Sequence, residues 1–250
     1  MEKFKAIDIH THLGPWRKSE IVKYQYQGPF RDYFSKAKQV GIDKTVIFKI
    51  KEGENKEVVE YVEKNKDILL FAYWIDVKNK KILNELDFYR KKIVALKFHP
   101  TFEWTKVTDK KLKPYWDWAQ EENLPLLLHC GQTQKIAGFR IAAKFAKSYS
   151  FPIVLLHMAG GGNTSTQAEA IKYFKKNPPP NNAFIETSSC FAPWMVENAI
   201  SVFGENKVVF GSDFPSHDPR VALNVILQTD VSTKVRNKVL FANSKKILKI

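Results

Sequence analysis

The amino-terminal segment KAIDIHTHLG contains two histidines, His10 and His12, which lie one residue apart at the end of a short apolar run. Alternate residues of an extended chain point to the same side, so both imidazoles can face one point just beyond a strand. Neutral imidazoles are common ligands of zinc and of similar divalent ions. The pair therefore predicts part of a metal site whose other ligands come from elsewhere in the chain.

Residues with related chemistry follow later apolar runs. They are Lys97, His99, His129, His157 and Asp213, with His217 a few residues after Asp213. Two or three imidazoles with one carboxylate suit Zn²⁺ or Mn²⁺ and leave one position open for water. Such an ion lowers the pKa of the water, while a nearby carboxylate or histidine moves the protons. The set therefore predicts a metal site that can hydrolyse, hydrate or decarboxylate a substrate.

Eight short apolar runs are predicted to be the strands that position these residues. They begin at Phe4, Lys44, Ile68, Ile93, Pro125, Pro152, Ala183 and Lys207. Segments with helical spacing lie between them, namely RDYFSKAKQVG, NKEVVEYVEKNK, LKPYWDWAQEEN and GFRIAAKFAKSY. This alternation indicates βαβ units and a parallel sheet.

Eight such units in 250 residues match a (β/α)8 barrel. An open doubly wound sheet usually has fewer strands, and no G-x-G-x-x-G turn follows the first run. We therefore predict an α/β fold in which residues 1–250 form a single-domain TIM barrel. Its chemistry is expected at the carboxyl ends of the strands.

The composition argues against several other classes of protein. The net charge of +14 comes from lysines spread along the chain beside glutamates, which is typical of a solvated surface, although an anionic substrate or RNA would also suit it. Two cysteines, Cys130 and Cys190, are too few for a disulfide framework. No apolar run reaches the roughly 18 residues of a membrane span, and the first residues lack a signal-peptide pattern. We therefore expect a soluble, cytoplasmic protein with no membrane partner.

The motifs DIHTH, KFHP, LLHCG, LLHMAGG and VVFGSDFP, in this order and at these intervals, resemble the amidohydrolase superfamily. More narrowly they resemble the amidohydrolase-related (amidohydrolase 2) group, which contains aminocarboxymuconate-semialdehyde decarboxylase, resorcylate decarboxylases and several lactone or amide hydrolases. The resemblance implies one divalent metal, Zn with Mn as the second candidate. The metal ligands that it implies are His10, His12, His129 and Asp213. It also implies that Asp213 and His157 are the catalytic residues that handle protons.

Other residues have less specific roles. Lys97, His99 and His157 are candidates for a second metal site or for a substrate contact. In binuclear members of the superfamily a carbamylated lysine of the fourth strand bridges two metals. Lys97 therefore makes a second metal ion an alternative, although we favour a single ion. The candidates for substrate binding are Trp16, Arg17, Arg140 and His217, since an arginine can bind a carboxylate through two hydrogen bonds.

The predicted metal site is compatible with three functions. We expect a metal-dependent hydrolase that acts on a small carbonyl-containing substrate. A non-oxidative decarboxylase of an aromatic or unsaturated carboxylic acid is the alternative, and it would use the same metal residues. A TatD-like deoxyribonuclease is disfavoured because its fourth strand carries a glutamate where this chain reads ALKFHP. The expected partner is a small and preferably anionic substrate, and we do not expect a nucleic acid. We also expect further copies of the chain, because its short loops leave few residues to shape a substrate pocket.

Overall fold

The computed structural model of the protein describes residues 4–13, 30–50, 54–131 and 133–250. Trp16 and Arg17, two of the predicted substrate contacts, lie outside these residues. No helix in the described ranges combines the length and the apolar composition that crossing a membrane would require.

Within these ranges, eight strands form one parallel sheet in which each strand pairs with the next along the chain. The strands are β1 (Ala6–Leu13), β2 (Ile42–Lys49), β3 (Leu69–Trp74), β4 (Ile93–Phe98), β5 (Leu126–Leu128), β6 (Ile153–Leu155), β7 (Ala183–Glu186) and β8 (Val208–Val209). Each strand overlaps one of the eight apolar runs, so the predicted strands are confirmed.

The two ends of the sheet meet. The backbone N–H of Ile9 donates to the carbonyl of Phe210 at 3.2 Å, and that of His12 donates to the carbonyl of Phe214 at 2.8 Å. These bonds join β1 to the chain that follows β8 and nearly close the sheet into a barrel. The predicted (β/α)8 barrel is confirmed.

α-Helices connect the strands, and the longer ones pack on the outside of the barrel. Those of the described residues are α1 (Arg31–Gln39), α2 (Asn55–Glu63), α3 (Ile82–Tyr89), α4 (Pro100–Glu103), α5 (Lys113–Glu122), α6 (Gln134–Ala137), α7 (Phe139–Ala146), α8 (Thr164–Lys176), α9 (Pro193–Phe203), α10 (Pro219–Leu227), α11 (Thr233–Asn237) and α12 (Asn243–Leu248). The four segments with helical spacing became α1, α2, α5 and α7.

The core has two layers because each strand is buried on both faces. Leu126 and Leu128 point outward into the layer beneath the helices. Leu127, between them, points into the barrel, where it belongs to a cluster formed mainly by strand residues such as Val46 and Val154. Alternate residues of a strand face opposite sides, so burial of both sides produces the continuous apolar runs of the sequence.

Candidate functional site

A cavity of about 430 Å³ lies at the carboxyl ends of the strands. All six histidines of the chain line it, together with Lys97 and Asp213. A separate groove of about 510 Å³ between α2 and α3 is lined by lysines, glutamates and apolar residues such as Phe88, and contains no residue predicted to do chemistry. The cavity, and not the larger groove, is therefore the candidate site.

Three of the predicted metal ligands come together in this cavity. The donor atoms of His10, His12 and Asp213 all lie within 4.8 Å of one another. Nε2 of His10 is 3.1 Å from Oδ1 of Asp213, and Nε2 of His12 is 3.2 Å from the same oxygen. Two donor atoms that share an ion, with bonds of about 2.0–2.2 Å and an angle of about 90–110° at the ion, lie roughly 2.8–3.6 Å apart. The spacing therefore fits one divalent ion.

A second observation supports this fit. Nε2 of His10 is buried and, within the described residues, makes no hydrogen bond, although it lies close to Asp213. The contact thus lacks the direction of a hydrogen bond, and a buried polar atom without a partner is costly. An ion between the two groups would satisfy both.

The outer nitrogens of both rings face acceptors. Nδ1 of His10 is 3.3 Å from Oε2 of Glu186, and Nδ1 of His12 is 3.4 Å from the backbone carbonyl of Lys49. A neutral imidazole carries one N–H, so an acceptor at Nδ1 leaves the lone pair on Nε2. Each ring is thus arranged to present its Nε2 lone pair, as metal-binding histidines commonly do.

Glu186, at the end of β7, is a site residue that the sequence analysis missed. Its carboxylate is fully buried and accepts hydrogen bonds from the backbone N–H groups of His157 and Ser188 and from the Ser188 hydroxyl. Glu186 also forms a second cluster of donor atoms with His10 and His157, but its oxygens already have these partners. A carboxylate at the end of an apolar run is the signal that identified Asp213, and it could have identified Glu186 as well.

Asp8 supports the site from beneath. Its buried carboxylate accepts from the backbone N–H of His10 at 3.1 Å, from the Ser212 hydroxyl at 2.6 Å and from the Tyr33 hydroxyl at 2.8 Å. Burial raises the pKa of Asp8 to about 6, even though these bonds oppose the shift. The residue therefore ties β1 to α1 and to the segment that carries Asp213.

Burial and neighbouring groups also shift the pKa values within the cavity. Burial would raise the pKa of Asp213, but His10 and His12 hold it well below its ordinary value of 3.8. Burial lowers the pKa of His12 to about 4 and that of His157 well below 6.5. Burial alone would lower the pKa of His10, but the attraction of the Asp213 carboxylate is stronger, so the pKa is raised above its ordinary value of 6.5. Metal binding requires an ionised Asp213 and neutral imidazoles, so an ion at this point would displace the proton that Asp213 favours on His10.

His129, the fourth predicted ligand, lies further along the cavity and its donor atoms are not in the group with Asp213. Its ring meets that of His157 edge-on at 4.8 Å and stacks on that of His99 at 3.6 Å. Nδ1 of His129 is buried without a hydrogen-bond partner in the described part of the chain. Its role as a ligand therefore stays a prediction.

His99 has a local structural task. Its Nδ1 accepts from the backbone N–H of Phe102 at 3.2 Å and so caps α4. Its ring is stacked between those of Phe102, at 3.9 Å, and His129. With the lone pair of Nδ1 engaged, the neutral ring carries its hydrogen on Nε2, which suits donation to a substrate better than metal binding.

Lys97 is fully buried at the end of β4. Its Nζ lies 4.8 Å from the centroid of the Phe48 ring, which also packs edge-on against His12 at 4.6 Å. Among the residues that the structure describes, Nζ has no hydrogen-bond partner. Burial lowers the pKa of Lys97 to about 7. The amine thus lines the cavity on the flank of the candidate metal group.

The backbone around His157 is left-handed. His157, Met158 and Ala159 have φ values of 56°, 51° and 59°, and Asp213 has a φ of 60°. Each such residue costs about 1–2 kcal/mol unless it is glycine. Strain of this kind is concentrated at functional sites, where the surrounding structure holds it.

The remaining candidates divide between the cavity and the surface. His217 lines the cavity, and its Nε2 is 3.0 Å from the Ser189 hydroxyl, which lies 3.2 Å from Nδ1 of His157. The structure does not bring Arg140 into the cavity lining. Arg140 is exposed on α7, and its guanidinium lies over the ring of Tyr173 at 5.2 Å.

Comparison with known proteins adds a family and a fold. A family model described as amidohydrolase matches residues 7–250. No curated protein matches the sequence.

Several solved structures superpose on nearly the whole chain. A 2,6-dihydroxybenzoate decarboxylase from Rhizobium has a TM-score of 0.77 and 14% identity, covering 98% of this chain and 99% of its own. A 5-carboxyvanillate decarboxylase from Novosphingobium aromaticivorans DSM 12444, complexed with manganese and 4-hydroxy-3-methoxy-5-nitrobenzoic acid, has a TM-score of 0.75 and 12% identity, covering 99% and 96%. A protein named as a probable 2-pyrone-4,6-dicarboxylic acid hydrolase from Acinetobacter baumannii has a TM-score of 0.73 and 13% identity, covering 99% and 100%. At these identities the likeness shows a shared fold.

Proposed function

The chain belongs to the amidohydrolase family, and from this premise we propose that it is a metal-dependent hydrolase that attacks a small carbonyl-containing substrate with water. The observation that carries the proposal is the convergence of His10, His12 and Asp213 on one point of the cavity. We take residues 1–250 as one amidohydrolase-like domain.

We propose one divalent ion, with Zn²⁺ as the first candidate and Mn²⁺ as the second. His10, His12 and Asp213 would hold it, with His129 as the predicted fourth ligand. When bound, the ion supplies Lewis-acid chemistry, which polarises a carbonyl and lowers the pKa of water. The manganese in the decarboxylase from Novosphingobium supports Mn²⁺ as a candidate.

The chain's own residues handle the protons. Asp213 is ionised, so the carboxylate oxygen that does not face the histidines can accept a proton from the attacking water. His157 is neutral and its Nδ1 is held by the hydroxyl of Ser188 at 2.9 Å, which leaves Nε2 to contact the substrate. We assign the catalytic roles to Asp213 and His157.

The proposed substrate is a small anion. A cavity of about 430 Å³ suits a small molecule, and Lys97 contributes a buried amine without a partner in the described residues. We propose Lys97, His99 and His217 as substrate contacts. The relatives named above for dihydroxybenzoate and for pyrone dicarboxylic acid agree with a substrate that bears a carboxylate.

Two further properties belong to this proposal. We propose a cytoplasmic location, because both cysteines are free and buried. We also propose a homo-oligomer, because a neighbouring subunit could complete a pocket shaped by short loops. Full activity of a monomer at high dilution would contradict the second point.

The alternative is a non-oxidative decarboxylase that uses the same centre, and it agrees with the decarboxylases that share the fold as the hydrolase agrees with the pyrone dicarboxylic acid hydrolase. A TatD-like deoxyribonuclease is disfavoured because β4 carries Lys97, with His99 directly after the strand, where a bridging carboxylate would be needed.

Elemental analysis of protein purified without added chelator or metal tests the proposal, alongside His12→Ala. We expect about one equivalent of zinc or manganese per chain, and its loss in the variant. About two equivalents would favour a carbamylated Lys97 as a bridge, and no specific metal would refute the proposal.

If metal is present, a screen of esters, lactones and carboxylic acids separates the two reactions. A hydrolase converts an ester or a lactone, whereas release of CO₂ from a carboxylic acid identifies a decarboxylase.

A further inference from the structure

Glu186 contacts the candidate metal group and the candidate base from behind the cavity. We propose that Glu186 is a positioning residue that sets the tautomer of both His10 and His157. The inference rests on the proposed function, because it concerns how the same centre is prepared for metal binding and proton transfer.

Both carboxylate oxygens of Glu186 act as acceptors. The backbone N–H of Ser188 donates to Oε1, and the backbone N–H of His157 donates to Oε2 at 3.0 Å. The side chain is fully buried, so no bulk water competes for these oxygens. Any nitrogen that faces this carboxylate must therefore donate to it.

The first consequence concerns His10. Its Nδ1 lies 3.3 Å from Oε2 of Glu186, so Nδ1 keeps its hydrogen in the neutral ring that a metal ion requires. The lone pair is then on Nε2, the nitrogen that lies 3.1 Å from Asp213 and has no hydrogen bond within the described residues. Glu186 thus directs the lone pair of His10 towards the candidate ion.

The second consequence concerns the ring of His157, which Glu186 contacts through the hydroxyl of Ser188. The Ser188 hydroxyl donates its single hydrogen to Oε2 of Glu186 at 2.8 Å. The hydroxyl oxygen of Ser188 lies 2.9 Å from Nδ1 of His157, so it can only accept there, and Nδ1 carries the hydrogen. The Ser189 hydroxyl, at 3.2 Å, is a second and longer contact of the same nitrogen. The lone pair of His157 is then on Nε2, where a base that acts on substrate or water needs it.

The packing around Glu186 restricts it to this position. Gly211 lies between β8 and Asp213, and a Cβ at this position would collide with Oε1 of Glu186 and with Cβ of His10. The left-handed turn that begins at His157 is held by the hydrogen bond from its backbone N–H to Glu186. One buried carboxylate therefore fixes the backbone of one histidine and the ring orientation of both.

Two variants separate the two consequences. Glu186→Gln replaces the carboxylate with an amide that can also donate, so both histidines lose their fixed tautomer. Ser188→Ala removes the hydroxyl between Glu186 and His157, which also lies 3.3 Å from Nδ1 of His10, but it leaves the Glu186 carboxylate as the acceptor beside His10. Glu103→Gln is the matched control, because the Glu103 carboxylate accepts from Trp74 and from the backbone N–H of Val77 instead of from a histidine.

The readouts are the Zn²⁺ dissociation constant, measured by competition with a chromophoric chelator, and the ¹⁵N NMR spectrum of labelled histidines, which reports the tautomer. We expect Glu186→Gln to weaken Zn²⁺ binding about 10- to 100-fold and to give His157 a mixture of tautomers. Ser188→Ala is expected to change the His157 spectrum while Zn²⁺ affinity stays close to wild type. Glu103→Gln is expected to change neither.

A folded Glu186→Gln variant with wild-type Zn²⁺ affinity and an unchanged His157 spectrum would overturn the inference. Two zinc ions per wild-type chain, one of them lost in Glu186→Gln, would also overturn it, because Glu186 would then be a ligand. If Glu186→Gln does not fold, Ser188→Ala decides, and an unchanged His157 spectrum counts against the inference.

The spectrum of His157 can be recorded without metal. If the wild-type protein binds no zinc or manganese, the proposed function fails, yet a change of the His157 tautomer in both variants would still support the inference. The two failures are therefore distinguishable.

Discussion

Oδ1 of Asp213 lies 3.2 Å from Nε2 of His12, although 201 residues separate them in the sequence. The contact exists because the barrel closes between its first and last strands, where the backbone N–H of His12 donates to the carbonyl of Phe214. The candidate metal group is therefore built across the seam of the barrel.

Asp213→Asn preserves the shape of the side chain but removes its charge. We expect loss of most of the bound metal and a fall in turnover of about 10²- to 10⁴-fold, with the fold retained. Elemental analysis measures the bound metal, an activity assay measures turnover, and circular dichroism checks the fold. Asp230→Asn, which changes an exposed aspartate, is the control. A variant that keeps both metal and turnover would contradict the assignment of Asp213.

Lys97→Met removes the buried amine of the cavity. A hydrogen bond to a charged group contributes about 1.5–3 kcal/mol, so benzoate is expected to bind about 10- to 100-fold more weakly. Benzamide, which has the same shape without the charge, should show no such loss.

Calorimetry of both ligands checks the Lys97 prediction. Lys92→Met is the matched control, because Lys92 is exposed and pairs with Glu63 on the outer surface at 3.0 Å. Equal weakening of benzoate binding in the two lysine variants would indicate an effect of net charge instead of a specific contact.

Asp218 predicts a dependence of stability on pH. Hydrogen bonding to Arg220, with help from Lys36, lowers the pKa of Asp218 to about 2 from an ordinary 3.8. The folded state therefore favours the ionised form, which stabilises the protein above pH 4, and this stabilisation is lost as the pH falls towards 2.

Asp218→Asn should cost about 0.5–1 kcal/mol at pH 7, a modest effect because the ion pairs are partly exposed. Urea unfolding of wild type and variant at pH 7 and at pH 3 measures the difference. A difference that grows at the lower pH would refute this prediction.

Leu127→Ala should open a cavity inside the barrel. Leu127 is fully buried in the inner cluster, and substitutions of this kind cost about 2–5 kcal/mol in the free energy of unfolding. Leu83→Ala on α3, where the leucine is 39% exposed, is the control and should cost far less. Urea unfolding of both variants measures the two losses, and equal losses would contradict a well-packed inner cluster.

Much of the fold follows from the sequence. Strands buried on both faces must be apolar throughout, which made β1 to β8 visible as runs, and their regular alternation with helices indicated the barrel. The candidate site residues His10, His12 and Asp213 could be found because parallel strands bring their carboxyl ends to one edge.

Other features depend on contacts that the sequence does not record. Strict alternation would place Ile9 and His10 on opposite faces, yet Ile9 belongs to the inner cluster and His10 lines the cavity. A register shift between Asp8 and Thr11 in the pairing with β2 permits this, because an irregularity in a strand turns the side chains that follow it.

The sequence by itself determined the barrel and the types of residue at its catalytic edge, because these depend on the periodicity of each segment. The tertiary structure alone decided that Glu186 lies behind His10, that His129 packs against His157 outside the donor group of Asp213, and that Arg140 faces outward. The physical reason is that ring orientation, tautomer and ligand spacing arise from contacts between strands far apart in the chain, and those distances are set only when the barrel closes.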